Sequence, residues 1–244
     1  MYHKLRPPGV GRDAFELMAK ELGYKISVKR NGARTTDSSG VIRFDNLLLG
    51  KELTNVNQAF CSDITYFELN DRFYYLTFIM DCYSRKIVGY SVSDNLYTEY
   101  TTLPALKQAI RMRGGKQIEG LILHSDGGGQ YYDKGFLLLT KQYGIQNSMC
   151  EMAYENGKAE RLNGIIKNNY LKCWQINSYK ELRQKVDRAV TLYNTEKPHK
   201  SLRYKTPVQF ELEILYLQQQ TKPMMTKSFD AKRKINRASS PVLS

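Results

Sequence analysis

The pattern of hydrophobic and polar positions changes near Gln58. Three runs rich in β-branched and aromatic residues follow it: Ala59 to Phe67, Arg72 to Asp81 (RFYYLTFIMD) and Lys86 to Ser93 (KIVGYSVS). The polar turns between them, 68–71 and 82–85, are too short for a crossover, so the three strands are predicted to pair as an antiparallel meander. A helical period then sets Leu103, Leu106 and Ile110 on one side and stops at Gly114-Gly115. The apolar run Gly120 to His124 (GLILH) reads as a buried strand, Phe136 to Tyr143 as a helix, and Gly144 to Met149 as a further strand. Asn156 to Leu171 is helical. Ser178 opens a last long helix with SYKE, a capping box in which the hydroxyl accepts from the third helical N–H and Glu181 reaches back. Leu182, Val186, Ala189, Val190 and Tyr193 form its buried stripe. The order β-β-β-α-β-α-β-α-α predicts an α/β fold: a mixed five-stranded sheet, an antiparallel three-strand meander plus parallel strands, flanked by helices.

The ends are less patterned. Residues 1–50 read as a basic arm and linker, with one helix from Asp13 to Leu22 ended by Gly23 and a polar stretch, NGARTTDSSG, over 31–40. Residues 51–212 form the expected core, and 213–244 a basic tail, flexible from about Leu217. No run approaches the roughly 18 apolar residues of a membrane span, and the first residues carry no apolar stretch of a secretory signal. Cys61, Cys82, Cys150 and Cys173 are scattered, which suits reduced thiols in a cytosol.

Charge narrows the function. The chain carries a formal +13 at pH 7, and a polyanionic partner is favoured because each cation that replaces a counterion at a phosphate gains free energy. The excess is uneven. Residues 51–150 hold ten basic and ten acidic side chains, whereas 151–205 hold twelve against six. That clustering argues against a merely basic, soluble protein.

Three acids stand out by position. Asp63 lies within the first strand, where a carboxylate is costly unless paired or bound to a cation. Asp126 follows the central strand in LILHSDGGGQY, where glycines permit a sharp turn and leave room for a ligand. Glu160 falls in the first turns of the helix beginning near Asn156. At about 100° per residue, Asn156, Glu160, Asn163 and Lys167 share one side of that helix, opposite Ala159, Leu162, Ile165 and Ile166. An acid, two amides and a lysine in a line suit a metal beside a phosphate. Phosphodiester chemistry needs such hard oxygen ligands for one or two Mg²⁺ or Mn²⁺ ions.

These residues lie in blocks that resemble a known family: FCSDITYF; FIMDCYSRKIVGYSVS; ILHSDGGGQYYDKGF with GIQNSMC; ENGKAERLNGIIKNNYL; and YNTEKPHKSLRYKTPVQF. In that order they resemble the OrfB-type transposases of bacterial insertion sequences, whose catalytic core is similar to retroviral integrase. The resemblance covers about residues 40–212 and implies an RNase H-like fold. It further implies a catalytic and metal-binding DDE triad on Asp63, Asp126 and Glu160, Mg²⁺ as cofactor with Mn²⁺ substituting, and 3′-end cleavage followed by strand transfer. The implied partners are DNA, as terminal inverted repeats and target, and a second copy of the chain, since two ends must be brought together. An upstream-frame helix-turn-helix segment, a cytoplasmic and nucleoid-associated location and the absence of a membrane partner are further expectations. Two departures are visible. Phe60 stands where the family usually has Trp, and residues 127–159 are a shorter spacing than is usual, the shortfall falling in CEMAYEN (150–156). A DNA-binding protein without catalysis and an RNase H-like nuclease are the alternatives.

Around the triad, Lys167, Asn163, Lys158, Arg161 and Asn156 are candidate DNA contacts, although an N-cap role suffices for Asn156. Asp81 is expected to make a structural turn or a salt bridge with Arg85. His124 is read either as a neighbour of the metals or as a satisfied buried histidine. Tyr193, Asn194, Pro198 and His199 are expected at a helix end packed on the core, and Trp174 in the core itself.

Overall fold

Alternation along the first strand decides the layering. In the computed structural model, which describes residues 2–24, 44–150 and 156–221, β1 (Ala59–Leu69), β2 (Arg72–Asp81) and β3 (Ile87–Ser93) form the predicted meander. Asn70 and Asp71 join the first two strands, with left-handed φ of 52° and 55°. Two such residues make a turn whose twist matches that of the strands. β4 (Ile122–Ser125) runs parallel to β1 and β5 (Gln146–Met149) parallel to β4, giving the order β3-β2-β1-β4-β5. The mixed five-stranded sheet is as the sequence predicts.

Successive residues of β1 point to opposite faces. Ala59 and Cys61 enter one core with Ala159, Leu162 and Ile166 of α5 (Gly157–Asn169) and with Leu182, Val186 and Ala189 of α6 (Tyr179–Thr195). Phe60 enters the other core with Ala105, Leu106 and Ala109 of α3 (Thr102–Arg113) and Phe136 of α4 (Lys134–Gln142). Phe60 is fully buried, a contribution of about 2–3 kcal/mol. A Cβ on Gly89 would collide with the Ala105 carbonyl, so this position lets α3 lie close on β3.

The helix ends are explained locally. Gly114 closes α3 with φ of 74°, and the Asp133 carboxylate accepts from Gly135 N at 2.8 Å to open α4. Ser178 caps α6 through Glu181 N at 3.2 Å, but Glu181 reaches back to Asn177 N at 2.9 Å, one residue earlier than the expected box. The predicted α6 stripe is buried throughout. Asn194, at the end of α6, pairs its amide with both backbone groups of Ile87 at 2.9 Å. Tyr193 and His199 meet edge to face at 5.0 Å, so this helix end packs on the core as expected.

Several expectations need correction. α7 (Pro207–Thr221) is continuous through the boundary expected at 212, so the chain stays helical there. At the other end, α2 (Arg12–Glu21) is the expected helix, but a short α1 (Tyr2–Leu5) precedes it, with Lys4 pairing with Glu196 and His3 stacked on Tyr204 at 3.7 Å. The polar stretch 31–40, the loop residues 151–155 and the chain beyond 221 lie outside the described residues. Asp81 is structural, but its cation is Arg113 at 3.4 Å rather than Arg85, which takes a φ of 63° in the turn and lines an outer cleft. Asp81 also accepts from the N–H groups of Asn57, Tyr83 and Ser84 at 2.8–3.0 Å. Trp174 lies at the rim of the core, partly buried, with Lys185 and Arg188 over its ring at 5.5 and 5.4 Å.

Arg113 continues from Asp81 to Glu211 of α7, whose carboxylate also accepts from Ser84 Oγ at 2.6 Å and Lys86 Nζ at 2.8 Å. Burial pushes the Glu211 pKa up, but Arg113, Lys86 and Ser84 outweigh it and the net shift is downward. A lowered carboxylate pKa adds stability above the ordinary value of 4.5, and that stability is lost as pH falls below it. Glu211→Gln removes the counter-charge of Lys86 and leaves Arg113 with Asp81 alone, and is expected to cost about 3 kcal/mol at neutral pH. The loss should shrink towards pH ~3, as read by urea unfolding.

Candidate active site

Parallel pairing brings the two strand-borne acids together. The β1–β4 register sets Cys61 opposite His124. Two residues further along stand Asp63, still within β1, and Asp126, just past the end of β4, and the charge of Asp126 acts on Asp63. Asp63 shares the face of Cys61, towards α5. Asp126 accepts from Gly128 N at 3.2 Å, and a Cβ on Gly128 would stand 3.1 Å from that same Asp126 oxygen. Gly128 has an ordinary φ of −65°. The glycine here supplies room beside the carboxylate rather than a left-handed turn.

The electrostatics follow. Asp63 is pushed up from 3.8 to about 7, first by burial, then by the charges of Asp126 and Glu160. Burial likewise raises Asp126. Glu160 stands exposed in the first turn of α5. Among the described residues no ion pair involves Asp63, Asp126 or Glu160. Nor do three His, Cys, Asp or Glu side chains there stand close enough to hold a metal ion jointly. The two aspartates are therefore gathered, and the glutamate is turned outwards on the helix beside them.

The polar side of α5 does not face outward as the helical wheel suggests. Asn163 is 4% exposed and donates to Asp63 Oδ2 at 2.8 Å. Asn156 is 3% exposed and donates to Ser62 O at 3.0 Å, with no helix-capping bond. Both amides are buried against β1, which removes them as DNA contacts; Asn156 does occupy the N-cap position of α5, but its side chain makes no capping bond. Their carbonyl oxygens are buried without a hydrogen-bond partner among the described residues. Lys167 donates to Thr65 Oγ1 at 2.7 Å and lies 5.2 Å over the Tyr66 ring, so its ammonium braces the strand beside Asp63. Burial, then Lys172, lowers its pKa, against the pull of Asp63. Lys158 and Arg161 are exposed on either side of Glu160.

His124 is a satisfied buried histidine, with Nδ1 2.9 Å from Ser148 Oγ. Tyr131 did not stand out in the sequence. It bonds Ser62 Oγ at 2.8 Å on the opposite face of β1, and Asp126 and Asp63 add to burial in raising its pKa. Its signal was position alone, five residues after Asp126.

The meander, the parallel pair and the helix-borne acid define an RNase H-like, integrase-type core. Two family models described as integrase core domain match residues 54–154 and 143–207. The chain is 30% identical over 206 residues to the uncharacterized 31 kDa protein of insertion element IS600 from Shigella sonnei, covering 82% of this chain and 75% of that one. It is 29% identical to the transposase for insertion sequence element IS904 from Lactococcus lactis, covering 65% and 62%. Among solved structures, the HTLV-2 integrase catalytic core domain in complex with magnesium matches with a TM-score of 0.51 at 23% identity, over 63% of this chain and 95% of that one. The simian T-cell lymphotropic virus intasome matches with a TM-score of 0.54 at 19% identity, over 96% and 77%. These structural likenesses establish the fold. The chain belongs to the bacterial insertion-sequence transposases that carry an integrase core domain.

A raised carboxyl pKa has a defined effect on stability. The folded protein holds a proton on Asp63 that the unfolded chain releases near 3.8, so stability falls as pH climbs from there through about 7. Asp63→Asn should therefore stabilise the metal-free protein, by little near pH ~4 and by up to about 4 kcal/mol near pH ~8. Urea unfolding of both proteins across that range measures it; a gain independent of pH would contradict the assignment.

Proposed function

We propose that this chain is the transposase of an insertion sequence, a polynucleotidyl transferase that cleaves DNA at the element's 3′ ends and joins them to a target. The observation that carries the reading is that Asp126 follows directly on β4, the parallel partner of the strand that bears Asp63, and that its charge and that of Glu160 on α5 both act on Asp63. Asp63, Asp126 and Glu160 are the proposed catalytic and metal-binding residues.

The residues fit a hard divalent cation of the Mg²⁺ or Mn²⁺ kind. Two carboxyls raised by burial, with a third acid on the adjoining helix turn, are oxygen donors that no ion pair satisfies among the described residues, and the buried Asn163 beside Asp63 keeps an unpartnered amide oxygen. One or two such ions, when bound, would make water or a 3′-hydroxyl a better nucleophile and stabilise the leaving oxygen. The chain's own part is to hold the acids in place. Asn163 fixes the Asp63 carboxylate, Asn156 ties the start of α5 to β1, and Gly128 keeps space open at Asp126. Lys158 and Arg161 are the proposed phosphate contacts flanking Glu160, and Lys167 adds positive charge beside Asp63.

The first step hydrolyses a phosphodiester to a 5′-phosphate and a 3′-hydroxyl, and the second exchanges one phosphodiester bond for another. Water attacks the phosphodiester at the element's end and releases a 3′-hydroxyl, which then attacks a target phosphodiester with loss of a new 3′-hydroxyl. No enzyme-linked intermediate is required. Joining two ends calls for at least two copies of the chain on DNA, with an upstream-frame helix-turn-helix segment as a further source of sequence recognition. The expected setting is the cytoplasm, at the nucleoid; among the described residues no helix is long and apolar enough to cross a membrane.

The test is cleavage and strand transfer on labelled DNA bearing the element's ends, in Mg²⁺ and in Mn²⁺. Wild type should give joined products, and Glu160→Gln should lose them by at least about 10²–10³-fold while still binding the DNA. DNA binding without product from wild type, with the upstream segment supplied, would replace this reading with the binding-only one.

A further inference from the structure

On the other flank of α5 lies a cleft of about 430 Å³ whose lining includes Lys51, Arg85, Lys158 and Arg203 and contains no carboxylate. It opens where three distant pieces of chain meet: the segment before β1, the turn between β2 and β3, and the turn before α7. Among the described residues, neither Lys51, Arg85 nor Lys158 takes part in an ion pair, and Arg203 has only Glu213, at 4.0 Å with the arginine side chain 75% exposed. Like charges so placed repel one another and are stabilised by an anion.

A second observation is independent of charge. Arg85 and Arg203 both hold left-handed backbone, with φ of 63° and 54°. Such angles are ordinary for glycine and tolerated by asparagine, but strained for a side chain like arginine. Neither position gains an evident packing contact from arginine: Arg85 lines the cleft wall and Arg203 is largely exposed. Two strained positions that both place an arginine in the lining of one cleft point to use of those side chains. His199, near the same turn, is pushed down to about 4 by burial, then by Lys197, Arg85 and Arg161, in keeping with a positive field there.

The position of the cleft identifies the ligand. Cys82, in its wall, donates its N–H to Ala59 O at 2.9 Å, four residues before Asp63 on β1. Four residues of strand span about 13 Å, a few phosphate spacings along a DNA strand. Lys158 and Glu160 stand two residues apart, about 200° around α5. The first turn of that helix thus divides a cationic cleft from the acids.

We propose that this cleft is a phosphodiester-binding site, formed by Lys51, Arg85, Lys158 and Arg203, that grips the DNA backbone a few nucleotides from the bond held at the acids. It rests on the reading of the chain as a DNA-acting transposase and extends it to a surface made largely of residues outside the integrase acids.

The test is the double variant Arg85→Asn with Arg203→Asn in the full chain. Binding of fluorescein-labelled duplex DNA is measured by anisotropy across a salt series, beside a thermal melt. The same kind of charge loss at exposed Lys141, on α4 at the opposite face of the sheet (Lys141→Gln), is the control. The double variant should melt at or above the wild-type temperature, because strain is relieved. It should also bind on the order of tenfold more weakly, with a salt slope shallower by about two. Lys141→Gln should leave affinity near that of wild type. Unchanged affinity and slope in the double variant would overturn the cleft and leave the transposase reading intact. Weakening by Lys141→Gln equal, per charge removed, to that of the double variant would reduce the effect to net charge and overturn the cleft as well. Absence of DNA binding by wild type would overturn both readings.

Discussion

Asp63 sits on the middle strand of the sheet with its carboxyl raised to about 7, first by burial and then by Asp126 and Glu160. An acid in that position can be relieved by a proton, a paired cation or a bound one. Among the described residues no ion pair satisfies it, and the neighbouring Lys167 gives its hydrogen bond to Thr65 instead. The chain offers Asn163, an amide that donates a single hydrogen bond without cancelling charge. This choice governs the packing of α5. A helix that must bring Asn156, Asn163 and Lys167 onto β1 cannot be seated by apolar contacts alone. Hydrogen bonds to Ser62, Asp63 and Thr65 along the strand fix its register, while Ala159, Leu162 and Ile166 supply the burial.

Most of the fold was legible because its elements are locally determined. Three runs with very short connections admit little besides a meander, and Gly114 and Ser178 mark helix ends by the backbone groups they satisfy. The proposed acids were legible for a related reason: an aspartate inside an apolar strand, or before a glycine run, conflicts with its surroundings. The approach of Asp126 to Asp63 was less accessible, since it follows from the parallel register of β1 and β4, which local patterning does not state. The helical wheel of α5 correctly grouped Asn156, Asn163 and Lys167 but gave an angle without a neighbour. The group was read as facing solvent when it faces β1. Similarly, Asp81 was paired by nearness in sequence with Arg85, whereas its cation comes from the end of α3. The link from Arg113 to Glu211 joins residues 98 apart and has no local signature. Gly89 looks like a weak point in a strand until α3 is placed over it.

The placement of charge explains why the acids and the cations occupy different sides of one helix turn. If Arg85 or Lys158 reached Asp63, the ion pair would lower its pKa and satisfy it within the protein, leaving less to gain from a bound metal ion. Cations held too far away would give the phosphates near the acids little compensation, since exposed charges are screened within about 10 Å at moderate salt. The first turn of α5 satisfies both demands. Glu160 projects on the side of the aspartates and Lys158 towards the cleft, with buried Ala159 between them in the core. A rotation of that turn would exchange a carboxylate for a cation at the site. The hydrogen bond from Asn156 to the Ser62 carbonyl, at the very start of the helix, sets the angle at which acid and cation are presented.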